Sequence, residues 1–375
     1  MKRIFSLVVI LLIICGLIWV SCQKKVEEKV VKIGAILPLT GDAAKYGESA
    51  KEGIELAIEE INAEGGVKGH KIEIIYEDSQ GLPTTGVSAF QKLITSNRVP
   101  AVIGGLFSSV TLAIAPIANR EHVVVLSPTS SAPAITKAGD YIFRNCASDI
   151  FEGKIMAEAA RKTLGLSKVA IIYINNDYGV GIKDVFKKEF TALGGKILAE
   201  EAFDQGATDF RTQITKVKQA NPEAVYIIGY RELGSLLKQA KELGLNVQFL
   251  STVMFEDPEI LKIAGDAAEG VIYSARAYNP KSKEPIVKKF VEKYEMKYHK
   301  EPDIFAALSY DAVLILAKAM EIGGFTADGI KEAIYGIRDF QGVAGVTSFD
   351  ENGDVVKPAV LKIVRNSKFM KYSGR

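Results

Sequence analysis

The chain has 375 residues, of which 48% are hydrophobic and 25% charged, a composition typical of globular proteins and unlike that of disordered chains. The formal net charge is +2, and both surplus charges, Lys2 and Arg3, stand at the amino terminus. The remaining 45 basic and 45 acidic side chains balance. No basic field is therefore left to bind nucleic acid or an acidic membrane surface.

The first residues have the pattern of a secretion signal. A positive start precedes a mostly apolar run over residues 4–20, and a small residue comes directly before Cys22. This order predicts a signal peptide over residues 1–21 and a polar tether over residues 22–29. An uncleaved membrane anchor is the alternative, although the run is short for a bilayer span.

The end of this run resembles a bacterial lipobox, in which the cysteine carries lipid. Cys22 is then the lipid attachment site and anchors the protein to a membrane, in the periplasm or at the cell surface. Trp19 stands where such motifs usually have leucine, which predicts less efficient cleavage. Since Cys15 leaves with the signal, Cys146 is the thiol left in the folded part, and no disulfide is available there.

A strand, a loop of small residues and a helix follow the tether. Residues 31–39 are almost continuously apolar, as expected of a parallel strand covered on both faces. From Gly47 the apolar residues recur at helical spacing until Gly65. The loop over residues 40–46 offers a hydroxyl, backbone N–H groups and the ring of Tyr46 beside a helix amino end. Such a corner predicts a site for a small anion or zwitterion.

Residues 71–126 continue the alternation of strands and helices. Apolar runs predict strands near residues 71–76, 101–104 and 123–126, with a helix near residues 84–96. This alternation is typical of a parallel sheet covered by helices.

Residues 168–203 repeat the first strand–loop–helix pattern. A second apolar strand is followed by Tyr178-Gly179, in the place that Tyr46-Gly47 has in the first copy. The repeat predicts two similar α/β lobes that face each other across a cleft, each with a tyrosine at the carboxyl end of a strand. The alternative is that both tyrosines only cap their helices.

The rest of the chain gives further elements of the same kinds. Strands are predicted near residues 224–229, 248–252 and 271–274, and helices near residues 150–164, 209–219, 232–243 and 285–298.

Catalytic and cofactor motifs are missing from the sequence. The three histidines do not have metal-ligand spacing, and no Gly-x-Ser-x-Gly elbow or phosphate-binding loop occurs. The glycine pair at residues 179 and 181 is followed by Asp184 where a dinucleotide fingerprint has its third glycine. We therefore interpret the chain as a binding protein without enzymatic activity, cofactor or metal.

Four segments together resemble the branched-chain amino acid binding proteins of ABC importers: residues 33–69, 103–109, 126–131 and 264–270. The similarity extends over nearly all of the chain after about residue 30. It implies the type I periplasmic binding protein fold, in which two doubly wound, Rossmann-like α/β lobes are joined by three crossing segments and close on the ligand. By this resemblance, lobe one comprises residues 30–147 plus 277–344, and lobe two residues 148–276 plus 345–375.

The resemblance also implies which residues bind the ligand's carboxylate. Ser108 follows the strand at residues 101–104, and Thr129 and Ser131 follow the next strand, so all three lie at strand carboxyl ends. In the family, the serine hydroxyl, a backbone group at the position of Thr129 and the hydroxyl at the position of Ser131 bind the amino acid. Ser109 and Ser130 are second choices. Without the resemblance, a serine-rich loop is more simply a turn.

The second lobe is expected to close over the ligand with Tyr178 and Tyr230, while Tyr46 walls the side-chain pocket. One departure from the family pattern concerns the ligand's ammonium. Val253 stands where relatives carry the glutamate that pairs with it, and an unpaired buried charge is costly. Either Glu256 or Asp257 replaces that acid, or the ligand carries no amine.

The function implied is that of a substrate-capturing lipoprotein of an ABC importer. Its partners are then a small-molecule ligand, either a branched-chain-type amino acid or a similar small carboxylate, and the permease subunits. A ligand-sensor domain of the same fold, signalling to a receptor partner, is the alternative, as is a binder of a non-amino organic acid.

Overall fold

The computed structural model describes residues 29–276 and 278–374. Cys22, the signal peptide and the tether up to residue 28 lie outside the described residues, and the expectations for them stay predictions. No helix in the described ranges is both long and apolar enough to cross a membrane.

Strands and helices alternate along most of the described chain. The strands are β1 (Val30–Leu37), β2 (Lys71–Asp78), β3 (Ala101–Gly104), β4 (Val124–Ser127), β5 (Ile142–Arg144), β6 (Lys168–Ile174), β7 (Lys196–Phe203), β8 (Ala224–Ile228), β9 (Gln248–Ser251), β10 (Ile272–Arg276), β11 (Phe340–Gly342), β12 (Gly345–Thr347), β13 (Ala359–Arg365) and β14 (Lys368–Lys371). The helices are α1 (Ala44–Ala63), α2 (Pro83–Thr95), α3 (Ser108–Glu121), α4 (Asp149–Glu158), α5 (Asp177–Ala192), α6 (Arg211–Gln219), α7 (Glu232–Glu242), α8 (Pro258–Ala264), α9 (Pro285–Tyr298), α10 (Ile304–Gly323) and α11 (Ala327–Gly336).

The strands form two large sheets. Sheet one has the order β2-β1-β3-β4-β5, and its neighbouring strands are parallel. Sheet two has the order β14-β13-β10-β9-β8-β6-β7; it is parallel from β10 to β7, while β13 and β14 pair antiparallel at one edge. We call each sheet with its covering helices a lobe. The predicted α/β fold with two doubly wound lobes is confirmed.

The chain passes between the lobes three times. The first passage leads from β5 to α4, which packs on α5 in lobe two, and the second leads from β10 to α9, which packs on α1 in lobe one. The third leads from the β11-β12 hairpin back to β13. Val355 in the third passage forms a β-bridge with Ala147 in the first, so these two passages lie side by side. The residue limits given above for the lobes stay a prediction.

The strand order reverses once in each sheet, between β1 and β3 and between β6 and β8. Loops that leave such a switch point diverge and open a crevice at the strand carboxyl ends. In both lobes a glycine lets the following helix start against the strand end. A Cβ on Gly47 would lie 2.0 Å from the carbonyl oxygen of Pro38, and one on Gly179 would lie 2.0 Å from that of Ile174. This close approach is the physical reason why a glycine follows the tyrosine in both lobes.

Two helices differ from the sequence-based expectation. Helix α1 begins at Ala44, so Tyr46 lies in its first turn and not in the preceding loop. The apolar spacing missed this turn because it marks only the buried face of a helix. The helix predicted over residues 150–164 is regular only to Glu158 and continues as a π-helical turn over Ala159–Thr163.

Candidate functional site

Six predicted ligand-binding residues lie where the two lobes face each other. Tyr46 and Ser108 follow β1 and β3 at the switch point of lobe one, and the loop after β4 carries Thr129 and Ser131. Tyr178 and Tyr230 follow β6 and β8 at the switch point of lobe two. All six are buried, because the facing loops cover one another.

Aromatic rings from both lobes meet at Tyr230. Its ring stacks on that of Tyr178, with centroids 5.5 Å apart, and lies 6.3 Å from that of Tyr46. Tyr230 also stacks on Phe107 of lobe one, with ring centroids 4.6 Å apart. Sequence reasoning missed Phe107, although its place directly before Ser108 was a usable signal. Asn176, and not Tyr178, caps α5 through a hydrogen bond from the N–H of Gly179.

The serine-rich loop after β4 is held by its own hydrogen bonds. Ser108 Oγ accepts the N–H of Ala132 at 3.1 Å, and the Thr129 hydroxyl donates to the carbonyl of Leu106 at 2.8 Å. The Ser130 hydroxyl is occupied by Ser127 and by a residue of α3. Backbone groups of the loop and the hydroxyl of Ser108 are therefore fixed by hydrogen bonds within lobe one, while the Ser131 hydroxyl lies beside the carboxyl of Asp149.

Arg144 holds the same loop through hydrogen bonds to its backbone. Its side chain is completely buried and donates to the carbonyl oxygens of Ser131 and Ala132 at 3.0 and 2.9 Å. Two further donors form a fork on Asp354, both at 2.6 Å. Since Asp354 lies in the third passage, this ion pair joins the loop to the segment that connects the lobes.

A protein carboxylate occupies part of the corner before α1, for which the sequence predicts a site for a small anion or zwitterion. This carboxylate is that of Asp78: Oδ1 accepts the N–H groups of Leu39 and Gln80, both at 2.8 Å, and Oδ2 accepts the hydroxyl of Thr40 at 2.5 Å. Asp78 thus takes the donors of Leu39 and Thr40 and disfavours a second anion beside them, while the expectation for the rest of the loop stays a prediction.

Both acids expected to replace the missing glutamate are paired within the protein. Glu256 accepts a hydrogen bond from the ammonium of Lys362. Asp257 binds Arg231 at 2.7 Å and also caps α8 by accepting the N–H of Glu259. Neither carboxylate is left uncompensated in this arrangement.

A different pair of acids, Asp149 and Glu152 on α4, lies beside the ligand loop; Asp149 is completely buried and Glu152 is half-buried. The N–H of Asp149 donates to the carbonyl of Ser131 at 2.8 Å. Its carboxyl group lies beside the Ser131 hydroxyl and the carboxyl of Glu152, which both act on it as hydrogen-bonding neighbours. Glu152 accepts the N–H of Val253 at 2.7 Å and the hydroxyl of Ser274. Burial raises the pKa of both carboxyls; the charge of Glu152 raises that of Asp149 further. Sequence reasoning missed this pair, which has no local motif.

Two cavities, of about 270 and 260 Å³, lie between the lobes. Both are lined by Tyr46, whose buried hydroxyl has no hydrogen-bond partner, and by Arg231, whose guanidinium lies 5.3 Å from the Tyr46 ring centroid. Among the described residues no group of three His, Cys, Asp or Glu side chains is placed to hold a metal ion.

Comparison with known sequences identifies the family. Residues 30–367 match the periplasmic binding protein family. The leucine-, isoleucine-, valine-, threonine-, and alanine-binding protein of Pseudomonas aeruginosa is 33% identical over 330 residues, which cover 87% of each chain.

Solved structures agree with this assignment. A leucine binding protein from Thermotoga maritima is 37% identical, with a TM-score of 0.86, covering 92% of this chain and 98% of the other. An ABC transporter solute binding protein from Rhodopseudomonas palustris, in complex with 3,4-dihydroxybenzoic acid, is 27% identical, with a TM-score of 0.81 and coverages of 92% and 96%. The chain therefore belongs to the periplasmic binding protein family, in the branch that contains the Leu/Ile/Val-binding proteins.

Proposed function

We propose that this protein is the extracytoplasmic substrate-binding lipoprotein of an ABC importer and captures a branched-chain-type amino acid between its lobes. Proteins of the family bind substrates outside the cytoplasm and do not catalyse reactions. The observation that carries the proposal is the meeting of hydroxyl and backbone donors from lobe one with tyrosine rings from lobe two. Anchoring through Cys22 and docking on permease subunits complete the proposed role.

In this proposal the ligand's carboxylate binds Ser108, the backbone at Thr129 and Ser131. Hydrogen bonds to a charged group contribute about 1.5 to 3 kcal/mol each, so three or four of them supply about 8 kcal/mol. A free energy of about 8 kcal/mol corresponds to a dissociation constant in the micromolar range.

The ligand's side chain lies against the rings of Tyr46, Tyr178 and Tyr230. These residues belong to different lobes, so only the closed form supplies all contacts at once, and ligand binding favours closure. The aromatic lining also suits an aromatic acid, as in the relative that holds 3,4-dihydroxybenzoic acid. A non-amino organic acid is therefore the second candidate ligand.

A thermal-shift screen separates the candidates. Leucine, valine, their 2-oxo and des-amino analogues and benzoate are added to ligand-free mature protein, at concentrations far above the expected dissociation constant. A ligand at 100 times that constant stabilises the protein by about 2.7 kcal/mol. We expect the largest shifts from leucine and valine; a shift from benzoate alone assigns the aromatic acid, and no shift at all contradicts the proposal.

Small-angle X-ray scattering tests closure separately. The radius of gyration should decrease when the ligand saturates a sample that was first shown to be ligand-free. An unchanged radius contradicts hinge closure, whatever the screen gives.

A further inference from the structure

We propose that the ammonium group of an amino acid ligand binds between Asp149 and Glu152, where it replaces a proton that the two carboxyl groups share in the absence of ligand. This inference rests on the proposed function, because it concerns the same cleft. It assigns the ammonium to α4 and not to the loop that carries Glu256 and Asp257.

The charges around the pair do not balance. Arg144 is bound by Asp354 in a two-pronged ion pair, and Lys357 interacts with the buried Asp311. Arg276 is left to interact with both carboxylates of the pair, and one of its terminal nitrogens has no hydrogen-bond partner. Arg144 also acts on Asp149, but its charge is balanced by Asp354. The two carboxyl groups therefore share one guanidinium that no other acid balances, Arg276, and the local charge can accommodate one more cation.

The unpaired charge has two ways of being neutralised. An ionised carboxylate that is buried without a partner is strongly unfavourable, so the group takes up a proton or binds a cation. Asp149 is fully buried, and the side chains within hydrogen-bonding reach of its carboxyl group are the Ser131 hydroxyl and the Glu152 carboxyl, neither of which brings a positive charge. The hydroxyl of Tyr226 is also fully buried and without a hydrogen-bond partner, and the charges of both carboxylates raise its pKa further above the ordinary value.

The pair lies at the end of the cleft where the ammonium is expected. Asp149 is hydrogen-bonded through its backbone to Ser131, a proposed carboxylate ligand. Glu152 is hydrogen-bonded to the backbone of Val253, the position at which the family resemblance implies the ammonium-binding glutamate. Glu152, on α4, therefore places a carboxylate next to Val253, the position at which relatives carry the ammonium-binding glutamate.

Proton exchange at the site is confined to the two carboxyls. The titratable and charged groups that interact with the pair come from several elements: Arg144, Cys146, Tyr178, Tyr226, Tyr230 and Arg276. Burial raises the pKa of the thiol and of the three phenols, so these groups stay neutral and protonated. The two guanidiniums stay charged at all relevant pH values.

Binding then has a defined proton balance. The amino acid enters as a zwitterion, its ammonium keeps all its protons, and the proton shared by the carboxyls passes to solvent. Amino acid binding therefore releases about one proton, and affinity rises as the pH increases from the ordinary carboxyl range toward neutrality. A des-amino acid brings no positive charge, leaves the shared proton in place and shows neither effect.

Isothermal calorimetry on the mature protein tests this, with leucine and 4-methylpentanoate as probes in buffers of different ionisation enthalpy. Wild type should release a proton with leucine only. In Asp149→Asn and in Glu152→Gln, leucine affinity should fall by about 30-fold or more and proton release should disappear, while 4-methylpentanoate binding persists. The matched control is Glu77→Gln, which removes a mostly buried carboxylate paired with Lys92 on the edge strand β2 of sheet one and should change nothing.

The Asp149 and Glu152 variants are expected to fold, so a loss of leucine affinity in them reports a loss of binding. Each variant replaces one carboxyl of the proton-sharing pair with an amide of the same size, so the melting temperature of the unliganded variants should stay close to that of wild type. Should a variant still fail to fold, the proton release and pH dependence of wild type decide alone. Leucine binding without proton release in wild type overturns the inference, and so does loss of leucine binding in Glu256→Gln together with normal binding in both α4 variants. If wild type binds neither probe, the proposed function itself fails.

Discussion

The rings of Phe107 and Tyr230 lie parallel, with centroids 4.6 Å apart and 5° between their planes, and they belong to different lobes. Phe107 follows β3 in sheet one and Tyr230 follows β8 in sheet two. This stack therefore exists only when the lobes are together, and it stabilises the closed form.

Phe107→Leu should weaken ligand binding without unfolding the protein. Stacked aromatic pairs contribute about 0.5 to 1.5 kcal/mol beyond their buried area, so we expect affinity to fall about 2- to 10-fold. Calorimetry with leucine measures the effect. Phe210→Leu is the control, because the edge-to-face contact of Phe210 with Phe203 lies within lobe two. Equal loss of affinity in both variants would show that the stack has no particular role in closure.

Arg144→Met should destabilise the protein strongly. It leaves Asp354 without its buried cation and the carbonyls of Ser131 and Ala132 without a donor. Removing one partner of a buried pair costs about 3 to 5 kcal/mol, measurable by urea unfolding. The double variant Arg144→Met with Asp354→Leu should recover part of this loss, because no charge is then left unpaired. A double variant less stable than the single one contradicts the explanation.

Asp311→Asn should flatten the pH dependence of stability. Asp311 on α10 is completely buried and accepts the N–H groups of Val343 and Ala344 at 2.7 and 2.9 Å. Burial raises its pKa from 3.8 to about 6, against the opposing effects of Lys357 and the two N–H groups. Since the folded-state pKa lies above the unfolded one, its contribution is complete below pH 3.8 and is lost as the pH rises through about 6.

That loss amounts to about 3 kcal/mol in wild type and should be missing from the variant. Urea unfolding at a series of pH values gives the comparison, with the exposed Asp42 changed to asparagine as control. An unchanged slope in Asp311→Asn would assign the pH dependence to other groups.

Cys22→Ala should release the protein from membranes or stall its processing. Cys22 lies outside the described residues, so this expectation rests on the leader pattern and the tether alone. Membrane fractionation and mass spectrometry of the mature amino terminus are the measurements. A soluble wild-type protein with an unmodified amino end elsewhere removes the lipoprotein assignment.

The local patterns of the sequence were sufficient for the fold class and for the tyrosines of the cleft. Strand β8 is apolar throughout, and so is β6 after its exposed first residue, Lys168, because helices cover both faces of a parallel sheet. The repeated Tyr-Gly marked both switch points, because Gly47 and Gly179 are each required by contact with a strand end a few residues away. Such constraints act between near neighbours, and a sequence shows them directly.

Which charges meet was decided by the tertiary structure alone. Arg144 and Asp354 are 210 residues apart, and Glu152 lies 101 residues before the backbone N–H of Val253 that it binds. From the sequence, Glu256 and Asp257 were the natural substitutes for the missing acid, because they stand close to Val253. Folding gives each of them a cation, Lys362 and Arg231, and brings Glu152 from another helix instead. An ion pair depends on distance in space and on burial, and neither is set by proximity along the chain.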